Sequence, residues 1–125
     1  VRTGVDLLAI HRFAPIARRA RYCSLLFTEG ELAQTVGLRP ERRVERLAGR
    51  FCAKEATCKV LGRGFGQGIH WRDIEVLGDP WGRPVVTLHR GARTIADALE
   101  LDEVVVTLTH QADLVVAFAV AETRK

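Results

Sequence analysis

Three polar residues occupy positions where the surrounding pattern asks for apolar ones. Asp6 interrupts the apolar run TGVDLLAI, Glu55 stands on the apolar face of the helix-spaced stretch FCAKEATCKVLGRG (51–64), and His110 closes the β-rich run VVVTLTH. An unpaired carboxylate on a buried face loses its hydration and needs a compensating partner. Two carboxylates from separate elements, converging in a small fold, make a site for a hard cation. Mg²⁺ takes oxygen ligands, commonly one or two carboxylates, and completes its shell with water and substrate phosphates. Lys59 and the arginines around it suit a diphosphate or a phosphomonoester. The glycines at 62, 64, 66 and 68 give a loop whose backbone amides can approach an anion. The combination points to metal-assisted phosphoryl chemistry.

Taken singly, each residue has a plainer role. Asp6 could cap a following helix, Glu55 could pair with Lys59 at i+4, and His110 could be a turn residue. The glycine loop follows a helix and lacks a Gly-Lys-Ser/Thr ending, so it is neither a P-loop nor a dinucleotide fingerprint. No Gly-x-Ser-x-Gly or His-Glu-x-x-His motif is present. Cys52 and Cys58, beside the apolar face, read as small buried hydrophobes.

The elements that must position these groups follow from periodicity and turn residues. TGVDLLAI reads as a strand that runs into a helix after Asp6. RFAPIARRARY mixes apolar and basic residues around Pro15, which could occupy the first turn of a helix but would disturb an interior one. TEGE (28–31) has capping-box form and starts a short helix to about Val36. A long helix is expected from about Glu41 to Leu61, ended by Gly62. On it Val44, Leu47, Ala48, Phe51 and Cys58 form an apolar arc with Glu55 near its centre and Lys59 at its margin. Arg42, Arg43, Arg46, Arg50 and Lys54 are expected on the other side. DIEVL and VVTLH, joined by GDPWGRP, read as a hairpin. ARTIADALEL reads as a helix, and VVVTLT with DLVVAFAV as a second hairpin joined by HQA. This order is α+β, an antiparallel sheet packed on helices.

The chain has 125 residues, net charge +4 and 47% hydrophobic content, the scale of a single domain (1–125) with a real core. The basic balance favours an anionic partner. Three cysteines without a CxxC pair argue against a disulfide framework or zinc knuckle and fit a reducing cytoplasm. VRTGVDLLAI is too short and polar for a secretory signal, and no apolar run approaches a membrane span. A membrane partner is not expected.

With these residues in place, the chain resembles the holo-acyl-carrier-protein synthases, the short, single-domain 4′-phosphopantetheinyl transferases. GVDLLAIHRF (4–13), FCAKEATCKVLGRG (51–64), WRDIEVLGDPWGRP (71–84) and VVVTLTH (104–110) occur in the family's order and cover nearly the whole chain. The resemblance implies the phosphopantetheinyl-transferase fold and transfer of the 4′-phosphopantetheine arm of coenzyme A to a serine of an acidic acyl carrier protein, in fatty acid biosynthesis. It implies Asp6 and Glu55 as Mg²⁺ ligands, Lys59 beside the coenzyme diphosphate, and His110 facing the coenzyme, these four forming the catalytic set. Coenzyme contacts are implied from Arg50, Lys59, Gly62, Gly64, Thr109 and His110, and from the turn Gly82, Arg83 and Pro84. Arg12, Arg18, Arg19 and Arg21 match the surface that meets the carrier.

The proton acceptor for the carrier serine is either Glu55 or a metal-bound water. Homotrimers with the site between subunits are implied as well. Two positions depart from the family pattern: Arg2 stands where a glycine is frequent, and Thr107 where serine is usual. A polyketide or nonribosomal carrier domain is the alternative acceptor. A basic nucleic-acid-binding module, with the arginine face as its footprint, is the rival from another class, but it leaves Asp6 and Glu55 without a purpose and nucleic acid is not the expected partner.

Overall fold

The computed structural model describes residues 1–124. Strand β1 (Arg2–Ala9) leads directly into α1 (Ile10–Ala17), followed by α2 (Ala20–Leu26), α3 (Glu29–Ala33) and the long α4 (Pro40–Leu61). A single 3-10 turn (Trp71–Asp73) precedes the hairpin β2 (Ile74–Gly78) and β3 (Pro84–Leu88). Helix α5 (Arg90–Ala98) and a second hairpin, β4 (Val105–Gln111) and β5 (Leu114–Ala121), complete the fold. Fold class and element order are as expected.

Two antiparallel sheets form: β1-β5-β4 and β2-β3. In the first, Asp6 lies opposite Ala117, which lies opposite Leu108; His110 lies opposite Val115, which lies opposite Leu8. Alternation then assigns the faces. Gly4, Asp6, Val115, Ala117 and Ala119 turn inward with Val106 and Leu108, whereas Val5, Leu7, Val105, Leu114 and Phe118 turn outward and are exposed. Inside, the sheet packs on α4, which the β2–β3 hairpin also covers.

Helix α4 starts one residue before the expected point because Pro40 takes its first position, where a missing N–H costs nothing. It ends as expected, with Gly62 at φ 76°. Its arc differs from expectation. Lys54, expected on the solvent side, is fully buried, and Arg50 is only 7% exposed. The physical reason is that α4 is central. From Leu47 onward Ala48, Cys52, Ala53, Ala56, Thr57 and Val60 are all buried, although they point in nearly every direction around the axis.

Four local expectations are corrected. β1 runs three residues past Asp6, so Asp6 is a strand residue and caps nothing. Helix α3 stops at Ala33 and continues to Gly37 as turns. Pro15 lies inside α1 rather than in its first turn. His110 is paired within β4, and the turn is Ala112–Asp113, with Ala112 at φ 53°.

Candidate active site

Gly4 sets the geometry of the carboxylate end. A methyl group there would overlap the Ala56 carbonyl oxygen and would meet Lys59 Cβ at 2.8 Å. Only glycine lets β1 lie this close to α4. Asp6, two residues on and on the same face, is therefore pressed against the helix. The Cys52 thiol is 3.4 Å from the Asp6 carbonyl oxygen and 3.6 Å from Asp6 Oδ2. Lys59 Nζ donates to the Val5 carbonyl at 2.7 Å and meets Asp6 Oδ1 at 3.2 Å. The i+4 pairing of Lys59 with Glu55 is not what forms; Lys59 reaches across to β1 instead.

Glu55 is partly buried on the same side of α4. Burial, and then the negative charge of Asp6, push its carboxyl above the usual range, and Lys59 opposes them. The two carboxylates thus feel each other across the β1–α4 contact, which is the convergence expected from their types. Cys52, expected as core, is buried and also touches Asp6; its thiol is pushed up to about 12, first by burial and then by Asp6. It stays protonated and can act only as a weak donor.

The donor set fits a hard divalent cation. Two oxygen-bearing side chains from different elements face each other, and Asp6 repels Glu55 in the absence of further positive charge. Among the described residues no group of three or more His, Cys, Asp or Glu is arranged to hold a metal ion, the neighbouring Cys52 thiol being protonated. A Mg²⁺ site with one or two carboxylates, otherwise filled by substrate oxygens and water, asks for no more.

The arginines form a second region. Arg42, Arg46 and Arg50 follow one another at i+4 along α4, grading from exposed to buried. Arg46 and Arg50 border two clefts at once. One is shared with Ile10, Leu108, Thr109 and His110, the other with Gln34, Gly78, Asp79 and Gly82. Arg50 Nε is buried without a partner, and burial followed by the neighbouring Arg46 charge lowers the guanidinium from its ordinary value. A buried, under-compensated guanidinium is a place for an anion.

The hairpin turn beside it is held by Asp79, whose Oδ1 accepts from the amides of Trp81 (2.9 Å) and Arg83 (2.8 Å). Gly82, at φ 87°, borders the cleft, and Pro84 opens β3 opposite Gly78.

Arg50 lies five residues before Glu55, so the two side chains leave α4 about 140° apart. One chain therefore brings together Asp6, Glu55 and Lys59, and separately Arg50, Thr109 and His110 with Gly82. Gly62 and Gly64 lie at the end of α4, and their amides bond to the Lys59 carbonyl and to Gln67 Oε1. Arg12, Arg18, Arg19 and Arg21 are all exposed on and between α1 and α2.

Two contributors act in ways the sequence did not signal, Glu31 beyond its place in the capping box and Gln34 altogether. Glu31 accepts from Lys54 Nζ (2.9 Å) and from the amides of Thr28 (2.8 Å) and Val76 (2.7 Å), bracing α4 from behind. Gln34 bonds to both backbone groups of Gly78. Thr28 was legible as a cap, but its cap partner's second role was not.

Comparison with known proteins shows the family. The model of the 4′-phosphopantetheinyl transferase superfamily matches residues 2–119. The chain is 35% identical over 119 residues to a holo-[acyl-carrier-protein] synthase of Alkaliphilus oremlandii, covering 94% of this chain and 95% of that protein. It is 39% identical over 121 residues to one from Moorella thermoacetica, covering 96% and 92%. Its fold is similar to a Bacillus anthracis holo-(acyl-carrier-protein) synthase solved in complex with CoA (3′,5′-ADP), with TM-score 0.82, 30% identity and coverage of 98% and 96%.

Proposed function

The chain belongs to the 4′-phosphopantetheinyl transferase superfamily, and from that premise we propose that it transfers the 4′-phosphopantetheine arm of coenzyme A to a serine of an apo acyl carrier protein. The second product is adenosine 3′,5′-bisphosphate. The observation that carries this reading is the meeting of Asp6 and Glu55 across the β1–α4 contact, with Lys59 on Asp6.

The serine oxygen attacks the phosphorus that bears the pantetheine arm. An Oγ–P bond forms, the P–O bond to the adenosine bisphosphate breaks, and the serine proton passes to a base. Asp6 and Glu55 would hold Mg²⁺, which when bound neutralises phosphate charge. Lys59, partly exposed and already beside Asp6, stabilises the phosphate oxygens as negative charge develops. The proton acceptor is either Glu55, partly buried beside Asp6, or a water in the site. Arg50 and His110 orient the coenzyme phosphates from the second region, with Thr109, the turn at Gly82, Arg83 and Pro84, and the loop at Gly62 and Gly64 alongside. Arg12, Arg18, Arg19 and Arg21 supply an exposed basic surface for an acidic carrier.

The reading includes a homotrimer. The outward face of the β1-β5-β4 sheet exposes Val5, Leu7, Val105, Leu114 and Phe118, between 39% and 61% each, a contiguous apolar set that association would cover. Assembly would also bring the arginine region of one chain to the carboxylate pair of another. No helix among the described residues is long and apolar enough to cross a membrane. A cytoplasmic role in fatty acid biosynthesis fits this chemistry, and carrier domains of polyketide or nonribosomal systems are the alternative acceptors.

One incubation tests the function. The protein, coenzyme A, Mg²⁺ and an apo carrier are mixed, and the carrier is weighed by mass spectrometry. A gain equal to the phosphopantetheine arm is expected; no gain on any of several carriers would sink the reading.

A further inference from the structure

Both arginines that border the two clefts are held by one residue outside their helix. Gln34, at the end of α3, accepts from Arg46 Nη1 at its backbone carbonyl (3.2 Å) and from Arg50 Nη2 at its side-chain Oε1 (3.4 Å). The same side chain grips Gly78: Oε1 accepts from the Gly78 amide at 2.8 Å and Nε2 donates to the Gly78 carbonyl at 2.9 Å. This double bond pattern fixes the amide orientation. A flipped amide would face its NH₂ toward two donors and its oxygen toward an acceptor.

Gly78 is itself part of the arrangement. A methyl group there would stand 3.1 Å from Arg50 Nη2, 3.7 Å from Gln34 Oε1 and 3.9 Å from the Gly82 Cα. The end of β2, the turn and Arg50 are thus packed together around Gln34. Arg50 still keeps its buried Nε without a partner, so Gln34 locates the guanidinium without neutralising it.

We infer that Gln34 is a positioning residue for the anionic coenzyme: its side-chain amide ties the β2–β3 turn to Arg50 on α4, its backbone carbonyl holds Arg46, and both arginines are thereby aimed into the clefts they border. A neutral amide suits this role. A carboxylate in its place would pair with Arg50 and compete with the ligand's phosphate, and would lose the donor to Gly78. The inference rests on the coenzyme-binding reading above.

The test is calorimetric titration of the full chain with adenosine 3′,5′-bisphosphate, with kcat and KM for coenzyme A measured in parallel. Wild type is expected to bind. Gln34→Glu is expected to weaken bisphosphate binding and raise KM roughly tenfold or more, with kcat within about twofold of wild type. Gln34→Met, which keeps volume but no hydrogen bonds, should shift KM in the same direction. A purely structural residue would lower thermal stability or kcat and leave KM unmoved. If Gln34→Glu is folded and binds the bisphosphate as wild type does, the inference is overturned while the function stands. If Gln34→Met fails to fold, Gln34→Glu decides. Wild type that binds neither coenzyme A nor the bisphosphate overturns the function reading, and this inference with it.

Discussion

Lys54 Nζ lies 2.9 Å from Glu31 Oε1, and neither side chain reaches solvent. Lys54 also donates to the Trp71 carbonyl at 3.0 Å and to that of Ile74. The pair ties α4 to α3 and to the start of β2, one residue away from Glu55. Removing one partner leaves the other as an uncompensated buried charge. Lys54→Met is expected to lower stability by about 3–5 kcal/mol, read from urea denaturation. A loss under about 1 kcal/mol would show that the pair does not brace the helix.

The carboxylate pair predicts a sharp effect on activity. Asp6→Asn and Glu55→Gln are each expected to lower transfer roughly 100-fold or more, because several kcal/mol of charge stabilisation depend on them. Removing divalent metal with a chelator should have the same effect on wild type, reversed by added Mg²⁺. Mass spectrometry of the carrier measures all three, and full rate in both variants would end the metal assignment.

The outer sheet face predicts a change of assembly. Phe118, 42% exposed in one chain, sits at the centre of that face between Val5 and Thr107. Phe118→Glu is expected to convert a trimer to monomers in analytical ultracentrifugation, and to lose transfer with it. Wild-type protein that sediments as a monomer at working concentration would remove the shared-site reading.

Glu75 predicts part of the acid limb of stability. Burial alone would raise its carboxyl, but the Thr28 hydroxyl at 2.6 Å and the His89 ring at 3.1 Å together hold it below the ordinary value of 4.5. A carboxyl lowered on folding adds stability that is present above the unfolded value and is lost as pH falls through the folded one. Glu75→Gln should therefore be less stable than wild type near neutral pH, and the gap should close below pH 4.5. Melting temperatures across that range measure it; a gap that persists in acid would assign the difference to packing instead.

Much of the architecture was legible before any coordinates. The capping box at Thr28 and Glu31, the stop at Gly62 and both hairpins rest on local rules: backbone groups at an element's end need partners nearby in sequence. Asp6 and Glu55 were legible for the opposite reason. Each violates the local apolar pattern, and such a violation persists when something outside the pattern requires it. The buried status of Lys54 was not legible. A helical wheel assumes one apolar side, and α4 is enclosed on nearly all of them.

By itself, then, the sequence determined the elements, their order, and the residue types able to handle a cation and a phosphate, because those depend on short-range periodicity and on side-chain chemistry. Only the tertiary structure decided the partnerships. Lys59 bonds to Asp6 instead of to its helical neighbour Glu55, Lys54 answers Glu31, and Gln34 holds Arg46 and Arg50. Each partnership joins residues on different elements, so it exists only where packing has set the distance, as Gly4 does by letting β1 rest against α4.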